Sequence, residues 1–337
     1  MNEQIVLDVR GLKKHFPVQK GFFRGTAGYV HAVNGVDFHI RQGETLGLVG
    51  ESGCGKTTIG RCLVRVIAPT AGEILFRGDD GEMIDLTGMQ EKEFRPMRRG
   101  IQYIFQDPYA SLDPRMTVLD IIAEPLVVNR LVSKSEIGGK VAELMELVGL
   151  DSRYLKRYPH AFSGGQRQRI GIARALATNP RFIICDEAVS ALDVSVRAQI
   201  LNLLLQMQQK LNVSYLFISH DLSVIRHMSH RVAVIYCGRI VETAPTDMLF
   251  ENPVHPYTKA LFSAIPKTDP RNKTKRILLG GEVANAINLP TGCTFHPRCK
   301  QKGDECSASC PELREVEPGH LVSCHNAIEN HSEEIAS

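Results

Sequence analysis

Apolar and polar residues alternate over residues 5–12 and again over 30–40. A period of two puts every second side chain on one face, so both stretches predict half-buried antiparallel strands. Between them, residues 20–28 read as a glycine-rich loop insertion. Short apolar runs at 44–49, 73–77, 101–105, 181–186 and 213–219 have the length of strands, and 232–241 reads as one more. Residues 56–67 predict a helix stopped by Pro69. Residues 117–150 are predominantly helical, and 164–177 predict a helix closed by Asn179-Pro180. Over 194–211, Ile200, Leu204, Met207 and Leu211 fall on one stripe of an amphipathic helix. Strands alternating with helices indicate an α/β fold with a parallel core sheet. After about Pro253 the periodicity fades, and proline, histidine and cysteine become frequent. A domain boundary is therefore expected between Thr243 and Lys267.

Composition narrows this picture only slightly. The chain has 337 residues, 43% hydrophobic and 23% charged, which suits one large globular domain plus an appendage. A net charge of +3 is too small to argue for nucleic acid or an anionic membrane surface. The first residues are polar and acidic, without a signal-peptide core, and no apolar run approaches the roughly 18 residues of a membrane span. A cytosolic chain is expected, with any membrane link made through a partner. In such a compartment its nine cysteines are not expected to form disulfides.

The chemistry begins at Gly50-Glu51-Ser52-Gly53-Cys54-Gly55-Lys56-Thr57-Thr58. This run fits the phosphate-loop pattern and lies between an expected strand and an expected helix. Its glycines let backbone N–H groups close on phosphates, Lys56 neutralises the terminal phosphates, and the Thr57 hydroxyl suits Mg²⁺. Cys54 inside the loop reads either as a small tolerated residue or as an oxidation-sensitive thiol. The apolar strand ending in Asp186-Glu187 supplies carboxylates: Asp186 for the Mg²⁺ shell and Glu187 to polarise an attacking water. Gln106 and His220 each end a strand. Alone, a surface glutamine and a structural histidine are the ordinary readings, although strand ends are where parallel sheets gather ligands. Ser163-Gly164-Gly165-Gln166 opens a helix and has the look of a second phosphate cradle. An ordinary helix cap explains the serine but leaves the glycines and Gln166 unexplained. Two cradles far apart in sequence suggest that each chain completes a neighbour's site.

Taken in order, the phosphate loop, Gln106, Ser163 to Gln166, Asp186-Glu187, Ser190-Ala191-Leu192-Asp193 and His220 resemble the ATP-binding subunit of an ABC transporter, over roughly residues 5–265. Phe162 departs from the leucine usual before the serine. The resemblance implies a P-loop NTPase core with a parallel sheet, an antiparallel β subdomain, an α-helical subdomain at about 107–177 and a small Cys-rich C-terminal extension. It divides the chain into an ATP-binding domain at 1–255 and an extension at 256–337. It also implies that Ser163 to Gln166 contact ATP held by a partner subunit. On the same resemblance, Ser190 to Asp193 would cross the dimer interface, Gln106 would sense Mg²⁺ and γ-phosphate, and Phe16 matches the position of the aromatic that stacks on adenine, with Tyr29 in the same region.

Phe105-Gln106-Asp107-Pro108-Tyr109-Ala110-Ser111-Leu112, His255-Pro256-Tyr257-Thr258 and the tail from Gly292-Cys293 to Cys324-His325 are similar to oligopeptide and dipeptide importers. Lys14-His15-Phe16-Pro17-Val18 looks like the second of the two ATPases such importers carry. The implied partners are a related ATPase, two membrane permeases and, indirectly, an extracytoplasmic binding protein, with this chain peripheral on the cytoplasmic membrane face. Nickel and glutathione importers share the subfamily. A soluble ABC ATPase energising a cytosolic enzyme complex is the rival reading.

The tail cysteines, Cys293, Cys299, Cys306, Cys310 and Cys324, do not show the short paired spacing of common zinc sites. Thiolates from irregular loops can hold a [4Fe–4S] cluster. The family pattern, associated with such a cluster, matches Cys293, Cys299, Cys306 and Cys324. Zinc, drawing on His296, His320 or His325, and a metal-free reduced tail stay open as alternatives.

Overall fold

The computed structural model describes residues 4–20, 25–264, 277–281 and 284–327. Its strands are β1 (Ile5–Lys20), β2 (Gly25–Arg41), β3 (Thr45–Val49), β4 (Ala71–Arg77), β5 (Met83–Asp85), β6 (Ile101–Ile104), β7 (Phe182–Asp186), β8 (Ser214–Ile218), β9 (Arg231–Tyr236), β10 (Arg239–Pro245), β11 (Arg314–Glu317) and β12 (His320–Val322). Two compact units share them. The first comprises Met1–Asp8, His39–Thr45 and Leu75–Phe217; the second comprises Val9–Phe38, Leu46–Ile74 and Ile218–Ser337.

In the first unit β6, β7 and β8 are neighbours in that order. β6 and β7 are parallel, with Ile101 opposite Phe182 and Ile104 opposite Cys185. All five residues of β7 and of β8 are buried, which accounts for their unbroken apolar runs. β4 and β5 add an antiparallel pair, Phe76 opposite Ile84. Residues 117–150, expected to be mostly helical, hold two helices, Val118–Val128 and Ile137–Leu147. The first opens on a capping box between Thr117 and Asp120.

In the second unit β3 runs parallel to β9, and β9 pairs antiparallel with β10. Residues 232–241, expected to be one strand, are in fact this hairpin. Its turn is Cys237-Gly238, both at positive φ (45° and 75°), as a two-residue connection requires. The apolar pattern runs through the turn unbroken, so periodicity alone does not reveal it. The tail then extends the sheet: β12 pairs with β10, and β11 with β12. The expected loop at 20–28 is shorter, because β1 reaches Lys20 and β2 starts at Gly25; residues 21–24 lie outside the described residues. The helix expected over 56–67 is Lys56–Leu63. Helices Leu222–Met228 and Pro256–Ser263 follow β8 and β10 without a sequence expectation. No described helix is long and apolar enough to cross a membrane.

Candidate functional site

In the second unit, buried β3 delivers the chain into the glycine loop, and the helix Lys56–Leu63 leads out of it. Gly55 is the N-cap at φ 109°, and a Cβ there would run into the Ala32 carbonyl oxygen. Only glycine fits. Having no side chain, Gly55 also leaves the first-turn N–H groups uncovered, the arrangement an anion needs. A Cβ on Gly50 would likewise meet the Ile235 carbonyl oxygen. Lys56 is buried and folds over the loop, its Nζ donating to the carbonyls of Gly50 (2.7 Å) and Glu51 (2.9 Å). Ser52 and Gly53 are exposed at the loop tip, and Thr57 and Thr58 are half-buried. Cys54 is buried and burial pushes its thiol pKa up, which works against the oxidation-sensitive reading. His220 is exposed, just before Asp221, whose carboxylate caps the next helix through the N–H groups of Ser223 and Val224. Phe16 is half-buried with Lys14 Nζ 4.9 Å from its ring centroid, while Tyr29 is exposed.

In the first unit the register of β6 on β7 decides the geometry. Ile104 lies opposite Cys185, so two residues further on Gln106 comes beside Glu187, and Gln106 Nε2 donates to Glu187 Oε2 at 2.8 Å. Asp186 is buried at the end of β7, and its Oδ2 accepts from the Tyr103 hydroxyl at 2.6 Å. Tyr103 carried no sequence signal, because its link to Asp186 is made across the sheet. Glu187 takes a left-handed backbone, φ 49°. Ser190 Oγ donates to the Glu187 carbonyl at 3.0 Å. Leu192 is buried, Ala191 is exposed, and Asp193 caps the helix Val194–Leu211 by accepting from the Val196 N–H at 2.9 Å. That N–H and the Ser195 hydroxyl hold the Asp193 carboxyl below its usual pKa.

At Ser163 to Gln166, the expectation that a helix cap leaves Gln166 unexplained is overturned. Ser163 Oγ accepts from the Gln166 N–H (3.3 Å), and Gln166 Oε1 accepts from the Ser163 N–H (3.0 Å), a reciprocal capping box. A cap therefore explains Gln166 as well as the serine. Gly165 has a packing reason too: a Cβ there would run into Val196 Cγ1. Gly164 has no such need, since its Cβ would stand at an ordinary 3.6 Å from Leu192.

In the tail, Cys293, Cys299, Cys306 and Cys324 line one cavity of about 10 Å³ with His296 and His325, and exposed Cys310 is not among its walls. Burial raises the pKa of the Cys293 and Cys299 thiols and pushes Cys324 up to about 12. The four soft donors suit iron or zinc by chemistry. Among the described residues, however, no group of three or more His, Cys, Asp or Glu is arranged to hold a metal ion. His320 belongs elsewhere: it is buried, and its Nε2 pairs with Glu242 Oε1 at 2.7 Å.

Comparison with known proteins sets these parts in a family. The family model "ABC transporter" matches residues 33–190, and "Oligopeptide/dipeptide transporter, C-terminal region" matches 241–306. The oligopeptide transport ATP-binding protein AppF of Bacillus subtilis is 49% identical over 96% of this chain and 98% of its own length. The putative oligopeptide transport ATP-binding protein YkfD of the same organism is 50% identical over 95% of each chain. Among solved structures, the dimeric ATP-binding cassette MJ0796 bound to ADP and Pi superposes with a TM-score of 0.62 at 26% identity, covering 71% of this chain and 98% of that one. With its phosphate loop, its carboxylate-tipped strand and this similarity along nearly its whole length, the chain belongs to the ABC transporter family, as an ATPase subunit of the oligopeptide/dipeptide branch.

Proposed function

We propose that this chain hydrolyses ATP to power peptide import through a membrane ABC transporter. The observation that carries the reading is similarity to oligopeptide transport ATP-binding proteins that extends past the ATPase core into the tail. In this reading the phosphate loop, Gly50 to Thr58, cradles ATP. Lys56 neutralises the terminal phosphates and Phe16 stacks on adenine. Thr57, Gln106 and Asp186, all oxygen donors of the kind a hard cation takes, would hold Mg²⁺, which would supply charge screening at the phosphates. Glu187 orients and polarises the attacking water, with His220 at the γ-phosphate. The hydrogen bond between Gln106 and Glu187 supports placing the sensor next to the base.

Ser163, Gly164, Gly165 and Gln166 act on ATP bound by a second, related ATPase, and Ser190 to Asp193 cross to it. Gly164 supports the trans role, because local packing gives it no other reason to be glycine. The ATPase domain spans residues 1–255, with its helical part at about 107–177, and the extension spans 256–337. The complex holds two permeases, with this subunit peripheral on their cytoplasmic side.

Cys293, Cys299, Cys306 and Cys324 would be the ligands of an iron–sulfur site, drawn together on binding, which would stabilise a module with little core of its own. Iron and acid-labile sulfide in anaerobically purified protein are the expected result; zinc without sulfide removes the cluster from this reading.

The test of the main function is reconstitution with candidate permeases in vesicles. ATP hydrolysis should rise with a peptide-loaded binding protein and drive peptide uptake. Co-purification with soluble enzymes instead of permeases would overturn it.

A further inference from the structure

Glu51, inside the phosphate loop, has every polar group engaged within its own unit. Its N–H donates to the Tyr257 hydroxyl at 2.9 Å, and its carbonyl accepts from Lys56 Nζ at 2.9 Å. Its carboxylate receives the Arg298 fork, Nη1 to Oε2 at 2.9 Å and Nη2 to Oε1 at 3.3 Å. The Arg298 side chain is 7% exposed and that of Glu51 28%, so water screens this pair far less than a surface ion pair.

The residues that grip Glu51 are themselves fixed. Tyr257 is fully buried and packs on Tyr236, ring centroids 4.7 Å apart. Phe295 meets Tyr236 edge-on at 5.3 Å and Tyr257 at 5.6 Å. Arg298 ends the short 3₁₀ turn His296–Arg298, which lies between Cys293 and Cys299. Arg298 Nη1 also reaches the Tyr236 hydroxyl at 3.4 Å.

We propose that Arg298 and Tyr257 are positioning residues for ATP: through Glu51, the C-terminal extension holds the phosphate loop of its own chain ready for nucleotide. Two physical effects combine. A glycine-rich loop pays conformational entropy when it closes on a ligand, and anchoring it beforehand removes part of that cost. The guanidinium also neutralises a carboxylate that would otherwise repel a polyphosphate at short range. The proposal rests on ATP binding at this loop. It differs from simple fastening of the tail, in which loss of the pair loosens the extension and leaves nucleotide affinity alone.

The charge argument gives the discriminating experiment. Mg·ATP affinity is measured on the full-length chain by displacement of a fluorescent ATP analogue, with a thermal melt of each variant. Arg298→Ala, which strands a bare carboxylate in the loop, should weaken ATP about tenfold, the scale of one charge-assisted hydrogen bond. Arg298→Lys should fall between it and wild type. Glu51→Gln combined with Arg298→Ala should bind better than Arg298→Ala alone, since the stranded charge is gone. In the assembled transporter, KM for ATP should rise more than kcat falls. Arg298→Ala within twofold of wild type, or a double variant no better than the single, overturns the proposal. Should Arg298→Ala not fold, Tyr257→Phe keeps the ring packing and removes only the hydroxyl on the Glu51 N–H. It should weaken ATP about threefold, and unchanged affinity there is equally fatal. Wild-type protein that binds no ATP, like Lys56→Ala, overturns the nucleotide reading itself.

Discussion

Glu187 and Asp186 are adjacent carboxylates with different surroundings, which suits the two different roles proposed for them. Asp186 is buried and held by the Tyr103 hydroxyl, a fixed acceptor suited to a cation shell. Glu187 stands past the strand end with Gln106 on one oxygen. Glu187→Gln should keep the fold and ATP binding while lowering kcat at least about a hundredfold, the ordinary scale of general-base loss. Single-turnover hydrolysis in the assembled transporter reads this, and near-normal turnover would remove Glu187 from the role. At this scale the sequence was legible where chemistry is local. The phosphate loop and the acid pair announce themselves by spacing. Tyr103, Tyr257 and Arg298 do not, because each matters through a residue far away along the chain.

At the scale of elements, the helix Gly164–Leu176 carries two demands at its first turn. Its capping box is worth about 1 kcal/mol, and the proposed trans contact needs the serine hydroxyl itself. Substitution separates them. Ser163→Asp caps as well as serine and should hold the melting temperature; Ser163→Ala should lower it slightly. Both should abolish ATPase in the assembled dimer while ATP binding at Lys56 persists. Full activity of Ser163→Asp would reduce the motif to a cap. Gly165→Ala should destabilise by about 1–3 kcal/mol, because its methyl meets Val196 on the facing helix; a denaturant melt measures it. The strands of the core were readable because a buried strand is apolar throughout. The hairpin of β9 and β10 was not, since its turn of Cys237 and Gly238 sits inside one apolar stretch. The capping box of Ser163 and Gln166 is spelled only by serine and glutamine three positions apart, a spacing that the two glycines between them obscure.

At the scale of the whole molecule, the chain passes between its two units after residues 8, 38, 45, 74 and 217. Within the second unit, the buried Glu242 carboxylate joins three segments: it accepts from the N–H groups of Val254 (2.7 Å) and His255 (3.0 Å) and pairs with His320 of β12. Two histidines around it titrate in opposite senses. Burial lowers His255 to about 4, despite Glu242 nearby. Between about 4 and 6.5 the unfolded chain therefore binds the extra proton, and stability falls as pH drops through that window, by up to about 3 kcal/mol. For His320, burial pulls the pKa down, but hydrogen bonds and charge from Glu242 and Glu317 outweigh it and the net shift is upward. Its contribution is full below about 6.5 and is lost as pH rises through the folded value. His255→Asn keeps a capping side chain at the helix Pro256–Ser263 without the titration. The gap in melting temperature between wild type and this variant should narrow from pH 7 to pH 4.5; a constant gap would contradict the assignment.

Global stability also registers the left-handed backbone of Glu187. A carboxylate-bearing residue held there costs about 1 kcal/mol, whereas asparagine enters that region more readily. Glu187→Asn should therefore melt about 2 °C higher while turning over no ATP. If Glu187 is the base proposed for it, selection for transport and selection for robustness pull this one position in opposite directions. A descendant freed from hydrolysis would be expected to drift there to asparagine or glycine, leaving a fossil of the lost activity in its sequence.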